Sequence, residues 1–362
     1  MTDRPIRVGI TQGDINGIGY EIILKTLEDN QMLEFCTPVV YGSAKIASFY
    51  RKLIDENATE VQFVRADSGE NIVDGKNNII NVIPEDVKVD PGLSTEAGGL
   101  AAFAALERAT ADLKNGYIDV LVTAPINKHN IQSDAFNFPG HTEYLQECLG
   151  GGAKALMMLC SGTMRVALAT AHMPIAEVPS ALSQELILEK LDALKASLRR
   201  DFGYEAPRIA VLALNPHAGE NGLLGTEEKD IIAPAIEKAR QNGTLAFGPY
   251  AADGFFGAGQ YAKFDGILAM YHDQGLAPFK ALAMDAGVNF TAGLPFVRTS
   301  PDHGTGYDIA GKNQASPDSM RQAIYAAIDI FRSRRNEDHY NSKPLKKQYH
   351  AKGNDNVVLD LN

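Results

Sequence analysis

Residues 208–217 read RIAVLALNPH, an apolar run that ends in asparagine, proline and histidine. Two further stretches have the same form, RVALATAHM at residues 165–173 and GILAMYHDQG at residues 266–275. Short continuous apolar runs are typical of strands that are buried on both faces of a parallel sheet. Each stretch therefore predicts a strand followed at once by polar residues, at the edge where open α/β sheets bind their ligands.

The rest of the chain alternates short apolar runs with longer segments of helical period, which predicts an α/β fold with a mainly parallel sheet. The predicted strands are residues 7–10, 37–41, 79–82, 119–123, 155–160, 165–170, 208–214, 266–270 and 288–291. The predicted helices are residues 19–28, 95–114, 143–148, 183–200, 226–242 and 316–334. The polar stretch that starts at Arg335 predicts a surface tail.

Length and charge limit the function classes. The chain has 362 residues, 45% of them hydrophobic, which is enough for one or two domains. Its 34 Lys+Arg against 45 Asp+Glu give a formal charge of −11, which argues against binding of nucleic acid or anionic membranes. An anionic ligand would therefore need a local basic pocket.

The sequence also suggests a cellular location. The first residues, MTDRPIRVGI, lack the pattern of a secretory signal, and no stretch approaches 18 uninterrupted apolar residues. Cys36, Cys148 and Cys160 are odd in number and lack CxxC spacing, so neither a disulfide framework nor a thiolate zinc site is predicted. We therefore expect a soluble protein of the cytoplasm.

Each of the three opening stretches carries a histidine just past the predicted strand: His172, His217 and His272. Three neutral imidazoles at one sheet edge would form an open metal shell that a substrate could complete. Each histidine could also be a capping or hydrogen-bonded loop residue. Their shared setting, beside acids and glycines, favours the metal site.

Glycine-rich segments bear on a nucleotide cofactor. The stretch GITQGDINGIGYEII at residues 9–23 places Gly13, Gly17 and Gly19 between a strand and a helix. These glycines either let backbone approach an anionic group or simply form a tight turn. The segment GAGQYA at residues 257–262 precedes a strand instead of following one, so any nicotinamide cofactor needs a mode other than the Rossmann loop.

Two groups of polar residues are candidates for binding an anion. Lys128, His141 and Thr142 occur in the first, with His141 and Thr142 just before a predicted helix, where anions bind favourably. Thr142 could instead only cap that helix. The second group, Lys280, Asn289 and Arg298, would suit a phosphate or carboxylate, although single surface cations are usually just solvated.

The chain contains eight distinctive motifs, GITQGDINGIGYE, TAPINKHNI, FPGHTEYL, ATAHMP, LNPHAGENGLLGTEE, GPYAADGFF, AMYHDQGLAPFK and GVNFTAGLPFVRTSPDHGTGYDIAGK. Together they closely resemble the 4-hydroxythreonine-4-phosphate dehydrogenases of pyridoxal phosphate biosynthesis, over about residues 7–334. The resemblance implies an isocitrate/isopropylmalate dehydrogenase-like fold with two α/β/α subdomains around an active-site cleft, residues 1–132 with 287–362 and residues 133–286. It also implies a homodimer with the site near the subunit interface. Ile15 and Tyr20 replace prolines that are common in the family.

The resemblance assigns roles to individual residues. The family's metal ligands fall on His172, His217 and His272, and its substrate contacts on His141, Thr142, Lys280, Asn289 and Arg298. The segment at residues 302–312 is similar to the adenine-side cofactor loop of isopropylmalate dehydrogenases, which makes Gly304 and Asp308 the candidates for binding NAD or NADP. Zinc, cobalt and magnesium all remain possible as the divalent metal.

The implied reaction is oxidation of 4-phosphooxy-L-threonine, that is 4-hydroxythreonine 4-phosphate, to a β-keto acid that decarboxylates to 3-amino-2-oxopropyl phosphate, in pyridoxine 5'-phosphate biosynthesis. Asp253 and Asp273 could orient a ligand imidazole or accept the hydroxyl proton, or could be structural caps. One alternative is a 4-phosphothreonate or 4-phosphoerythronate dehydrogenase of sugar-acid catabolism. A phosphate acyltransferase and a redox-inactive metal-binding module are alternatives from other classes.

Overall fold

The computed structural model describes residues 4–54, 61–162, 164–283 and 286–342. Within these ranges the strands are β1 (Arg7–Thr11), β2 (Thr37–Gly42), β3 (Phe63–Arg65), β4 (Asn77–Asn81), β5 (Val120–Thr123), β6 (Leu156–Ser161), β7 (Met164–Leu168), β8 (Arg208–Leu212), β9 (Leu245–Tyr250), β10 (Gly266–Ala269), β11 (Val288–Ala292) and β12 (Arg298–Pro301). The helices are α1 (Gly19–Leu27), α2 (Met32–Phe35), α3 (Ala44–Ile54), α4 (Glu96–Lys114), α5 (His141–Leu149), α6 (Val178–Ala181), α7 (Gln184–Arg200), α8 (Ala233–Gln241), α9 (Ala252–Gly257), α10 (His272–Ala283) and α11 (Asp318–Ser342).

All twelve strands form one sheet in the order β3-β4-β2-β1-β5-β12-β11-β6-β7-β10-β8-β9. Strand β11 is antiparallel to both β12 and β6, and β6 is antiparallel to β7, whereas the other neighbours are parallel. The α/β class and the mainly parallel sheet are therefore confirmed. The sheet contains strands from both predicted subdomains, and the division of the chain into those subdomains stays a prediction.

Helices cover the sheet and bury its apolar residues. Helix α11 packs on β12, β5 and β11, α4 packs on β1 and β2, and α10 packs on β7 and β10. Every residue of β2, β5 and β10 is buried, as expected for strands covered on both faces. In the described part of the chain, no helix combines the length and the apolar character needed to cross a membrane.

All nine predicted strands are present, but three others were missed. Strand β3 has only three residues, β9 contains Gly248 and Pro249, and β12 reads RTSP. The apolar-run rule cannot detect β12, because its polar residues are buried by neighbouring strands and by α11.

The helix predictions needed two corrections. Helix α11 continues to Ser342, so residues 335–342 are helical where an irregular tail was predicted, although most of them lie exposed on the surface as expected. Glu337 and Asp338 form ion pairs with Arg200 of α7. The remainder of the predicted tail, residues 343–362, lies outside the described residues. Among the described residues, five helices were not predicted, namely α2, α3, α6, α9 and α10. In α10, Gly275 and Pro278 both disfavour a helix interior.

Candidate active site

Two of the three candidate metal histidines lie side by side. His172 follows β7, His272 is the first residue of α10 just after β10, and these two parallel strands are neighbours in the sheet. The centroids of the two imidazole rings are 6.0 Å apart. Because a zinc–nitrogen bond is ~2.0–2.1 Å long, two imidazoles on one ion lie on the order of 5–6 Å apart by their centroids. The pair therefore fits a shared divalent cation with a small adjustment.

The third histidine, His217, does not join this pair. In residues 4–54, 61–162, 164–283 and 286–342 there is no cluster of three or more His, Cys, Asp or Glu side chains that could hold a metal. His217 begins a run of six residues with positive φ, residues 217–222, from 52° at His217 to 98° at Gly222. Within the described residues, one chain thus brings together two of the three predicted imidazoles, and His217 does not join them.

The left-handed run is held in place by a buried carboxylate. Each non-glycine residue in this conformation costs roughly 1–2 kcal/mol, so the surroundings must fix it. Glu228 accepts hydrogen bonds from the backbone N–H groups of Leu214 (2.8 Å) and Asn215 (2.7 Å), just before the run. A Cβ on Gly219 would lie 2.6 Å from Glu228 Oε2, so glycine is required where the run crosses this side chain. Past the run, the side chain of Leu223 is 79% exposed.

Carboxylates and two cavities surround the histidine pair. Asp273 Oδ1 lies 2.7 Å from Nδ1 of His272, on the ring nitrogen opposite the one that could face a cation. A cavity of about 530 Å³ is lined by His172, Tyr271 and His272. A second cavity of about 530 Å³, which shares Tyr271 and Asp273 with the first, is lined by Asp253. Burial is the main cause that lowers the pKa of His172, which keeps its imidazole neutral and able to bind a metal.

Arg298, the first residue of β12, is buried with only 3% of its surface exposed. Its guanidinium donates to Thr123 Oγ1 at 2.6 and 3.1 Å and to Thr291 Oγ1 at 3.2 Å. Burial lowers the pKa of Arg298 to about 10, whereas the nearby Glu143 carboxylate raises it. Among the described residues no carboxylate forms an ion pair with Arg298, so its charge is held by two hydroxyl groups alone.

His141 and Thr142 open helix α5 beside Arg298, with Gly140 at the N-cap position, so Thr142 does not cap the helix. The Thr142 hydroxyl lies 3.5 Å from that of Thr291. His141 Nε2 is buried and has no hydrogen-bond partner among the described residues. The pKa of His141 is held well below its usual value, first by burial and then by the charges of Arg298 and Lys128. These residues form an electropositive pocket in which His141 Nε2 could form a hydrogen bond with a ligand.

The buried neutral imidazole of His141 predicts how stability depends on pH. Because its pKa is lower in the folded protein than in the unfolded chain, only the unfolded chain gains a proton as the pH falls below about 6.5. The free energy of unfolding should then decrease by up to ~1.4 kcal/mol per pH unit for this group. Denaturant titrations between pH 7.5 and 5 should show a smaller decrease in His141→Asn than in the wild type. Equal slopes in the two proteins would contradict the buried neutral state.

Asn289 and Lys280 extend the same surface. On β11, Asn289 is two residues from Thr291 and therefore points to the same face of the sheet. Lys280 Nζ lies 3.4 Å from Asp302 Oδ1, just past the end of β12. Burial raises the pKa of Asp302, while Lys280 and then His303 and His272 lower it. The structure thus brings the predicted anion-binding residues onto one polar surface that leads toward the histidine pair.

The predicted cofactor loop follows β12. Gly304 is exposed and has open space around it, and Asp308 is exposed with its backbone oxygen accepting from Lys312 Nζ at 2.6 Å. Beside them, His303 Nε2 is buried without a hydrogen-bond partner in the described residues. The loop therefore offers both room and an unused polar atom to a ligand.

Sequence reasoning missed several residues of this surface. Thr123 and Thr291 are the last residues of two predicted strands, but their role depends on the register that places both hydroxyls against Arg298. Asp302 was read only as the start of a cofactor loop. A usable signal was the i, i+2 spacing of Asn289 and Thr291 on one strand.

The chain is similar to known proteins over nearly all of its length. A family model described as Pyridoxal phosphate biosynthetic protein PdxA matches residues 34–327. A 4-hydroxythreonine-4-phosphate dehydrogenase of Bacteroides thetaiotaomicron is 56% identical, over 100% of this chain and 98% of that protein. A putative D-threonate 4-phosphate dehydrogenase of Oceanobacillus iheyensis is 38% identical, over 91% and 99%. The crystal structure of 4-hydroxythreonine-4-phosphate dehydrogenase from Klebsiella pneumoniae superposes with a TM-score of 0.79 at 35% identity, over 91% of this chain and 99% of that chain.

Proposed function

This chain belongs to the PdxA family of pyridoxal phosphate biosynthetic proteins, and from that premise we propose that it is a 4-hydroxythreonine-4-phosphate dehydrogenase. The proposed reaction is the NAD- or NADP-linked oxidation of 4-phosphooxy-L-threonine to a β-keto acid, which then decarboxylates to 3-amino-2-oxopropyl phosphate. The product enters pyridoxine 5'-phosphate biosynthesis. The free thiols of Cys36, Cys148 and Cys160 are consistent with the cytoplasm as its location.

The unpaired charge of Arg298 is the observation that carries the proposal. A buried guanidinium without a carboxylate is costly unless an anion joins it. Next to it are the Thr142 hydroxyl and His141 Nε2, which has no hydrogen-bond partner among the described residues. Both lie at the start of helix α5, where the backbone favours negative charge. These groups would bind the substrate phosphate, and Asn289 and Lys280 would bind the polar groups between the phosphate and the reacting carbon.

We assign the divalent cation, zinc, cobalt or magnesium, to His172, His217 and His272. When bound, the cation would lower the pKa of the substrate hydroxyl and stabilise negative charge during decarboxylation. Asp273 would orient the His272 ring through Nδ1, and Asp253 or Asp273 would accept the hydroxyl proton in the cavity that both line.

A second copy of the chain is the simplest source of the third imidazole. His172 and His272 lie together in one chain, whereas His217 begins the left-handed run and lies apart from them. Leu223, beyond that run, and Ile175, beyond His172, are exposed by 79% and 71%. Exposed apolar side chains next to both parts of the shell suit an interface between subunits. We therefore propose a homodimer in which His217 of one subunit completes the pair of the other.

NAD or NADP would bind at residues 302–312, with Gly304 and Asp308 in contact with it, and would accept the hydride from the substrate. The open space at Gly304 supports this placement, as does the buried His303 Nε2, which has no hydrogen-bond partner in the part of the chain that the structure describes. We retain the predicted division into residues 1–132 with 287–362 and residues 133–286, with the site in the cleft between them.

A sugar-acid substrate is the second candidate. The Oceanobacillus relative named a putative D-threonate 4-phosphate dehydrogenase is 38% identical to this chain, and its substrate would present the same phosphate and hydroxyl. The two substrates differ at C2, which carries an amino group in one and a hydroxyl group in the other. A phosphate acyltransferase would not need the two adjacent imidazoles.

The test is NADH or NADPH formation by metal-loaded and chelator-treated protein, with 4-phosphooxy-L-threonine and 4-phospho-D-threonate offered separately. We expect turnover of the amino acid that chelation abolishes and added metal restores. A higher kcat/KM for the sugar acid would move the substrate assignment to the second candidate. Turnover that survives complete metal removal would contradict the role of the histidines, and no turnover of either substrate would contradict the dehydrogenase itself.

A further inference from the structure

Asp14, in the first glycine-rich loop, is a buried carboxylate that joins three segments of the chain. Only 1% of its surface is exposed, and no ion pair with a cation involves it among the described residues. Its Oδ1 accepts from the backbone N–H of Asn16 (2.9 Å), and its Oδ2 accepts from Asn130 Nδ2 (2.7 Å) and from the Tyr307 hydroxyl (2.6 Å). Hydrogen bonds to a charged acceptor are about twice as strong as neutral ones.

Tyr307 belongs to the loop assigned to the cofactor and lies between Gly306 and Asp308. Burial, followed by the hydrogen bond to Asp14, raises the pKa of Tyr307 to about 12, so its hydroxyl is a proton donor at neutral pH. The hydroxyl therefore ties this loop to a buried anion of the first loop.

The backbones of the same two loops are in direct contact. The N–H of Ile18 donates to the carbonyl oxygen of Thr305 at 2.9 Å. A Cβ on Gly17 would lie 2.7 Å from that oxygen, so any larger residue would push the loops apart. The structure thus gives the first-loop glycine a role that neither sequence interpretation foresaw, which is close approach to the cofactor loop rather than to a ligand.

A third segment supports the contact from the other side. Asn16 accepts from the backbone N–H of Asp90 through its side chain and from that of Gly92 through its carbonyl oxygen, both at 2.8 Å. A Cβ on Gly92 would lie 2.9 Å from the carbonyl oxygen of Tyr307. Residues 304, 306 and 311 of the cofactor loop are glycines, which give it little stiffness of its own. Its shape is therefore set by the segments that it rests on.

We propose that Asp14 and Tyr307 are positioning residues, which hold residues 302–312 in the conformation that binds NAD or NADP before the cofactor arrives. The proposal rests on the assignment of that loop to the cofactor. A loop that is already ordered in the free protein costs the cofactor no binding free energy to order. Loss of the hydrogen bond between Tyr307 and Asp14 should therefore weaken cofactor affinity and leave the chemical step unchanged.

Tyr307→Phe tests the anchor, because it removes the hydroxyl and keeps the ring. We expect the Kd for NADH or NADPH, measured by titration calorimetry, to rise about 10- to 150-fold, the effect of losing one hydrogen bond to a charged group. At saturating cofactor, kcat and the KM for the phosphorylated substrate should stay within about twofold of the wild type. Amide hydrogen exchange at residues 303–311 of the cofactor-free protein should become faster.

Tyr117→Phe is the matched control, since the Tyr117 hydroxyl also donates to a carboxylate, Glu70, at 2.7 Å, but on the exposed surface away from this loop. It should change neither the Kd nor the exchange. Asp14→Asn should weaken cofactor binding more than Tyr307→Phe. The carboxylate accepts hydrogen bonds at two oxygens, whereas the asparagine amide has only one oxygen and replaces the other with a donor.

An unchanged Kd together with unchanged exchange in Tyr307→Phe would overturn the proposal and leave the dehydrogenase assignment intact. A rise in Kd accompanied by an equal fall in kcat would also overturn it, because a positioning residue should spare the chemical step. Wild-type protein that binds neither NADH nor NADPH would overturn the cofactor assignment, and this inference with it.

Discussion

Arg298→Met should abolish productive phosphate binding without destabilising the substrate-free protein. Truncating one partner of a buried charge pair costs ~2–5 kcal/mol of binding, that is about 30- to 5,000-fold in the KM for the phosphorylated substrate. The folded chain, by contrast, loses a buried cation that, among the described residues, only the hydroxyls of Thr123 and Thr291 hold. Its melting temperature without ligand should therefore be no lower than that of the wild type.

Arg334→Met is the matched control, because Arg334 is nearly as buried as Arg298, with 6% of its surface exposed against 3%. Arg334 forms an ion pair with the buried Asp201 at 2.6 Å. Its loss leaves an unpaired carboxylate in the interior, which should destabilise the protein by ~3–5 kcal/mol. We therefore expect Arg334→Met to lower the melting temperature and Arg298→Met not to lower it, although both replace a buried arginine by methionine.

Inorganic phosphate gives a second measurement that does not need turnover. Phosphate should raise the melting temperature of the wild type by binding only the folded state, and it should have no such effect on Arg298→Met. A variant that melts well below the wild type, or that still responds to phosphate, would contradict an anion site at Arg298.

The heterodimer of a His172→Ala subunit with a His217→Ala subunit should be active, although each variant alone should be inactive. If His217 completes the pair of the other subunit, one of the two sites in this heterodimer keeps all three imidazoles. Co-expression with two affinity tags and tandem purification should then yield about half the activity and half the bound metal of the wild-type dimer.

The heterodimer of His172→Ala with His272→Ala is the control. These two side chains lie in one chain, 6.0 Å apart by their ring centroids, so each site of this heterodimer lacks one of them. We expect it to be inactive. If the first heterodimer is as inactive as this control, the proposal that subunits share metal ligands is wrong. If no heterodimer can be isolated, the proposal of a homodimer is wrong.

The sequence predicted those strands and helices in which apolar residues form a continuous run or recur with a regular period. The opening runs at residues 165–173, 208–217 and 266–275 became β7, β8 and β10, and two of the three histidines that follow them meet. Strand β12 was missed because its buried residues are polar and are satisfied only by tertiary contacts, such as those of Arg298.

His217 shows a second limit of sequence reasoning. Its position after an apolar run matches that of the other two histidines, yet it opens a left-handed run and forms no three-residue cluster with them in the described part of the chain. Local propensity disfavours such a run at the non-glycine residues His217 and Ala218. It exists because of Glu228, whose hydrogen bonds to Leu214 and Asn215 span more than ten residues of sequence.

The order of strands in the sheet also has a consequence for synthesis on the ribosome. Strands β12 and β11 lie in the middle of the sheet but come from the last quarter of the chain. Strand β6 therefore has no partner on one side until residue 292 has left the ribosome, and β5 has none until residue 301 has left it. Until β11 and β12 are synthesised, the sheet consists of two halves, each with an unpaired edge strand. Unpaired edge strands can form hydrogen bonds with the strands of other chains. Nascent chains cut short before β11 should therefore aggregate, and the phosphate pocket, which needs both late strands, is completed last.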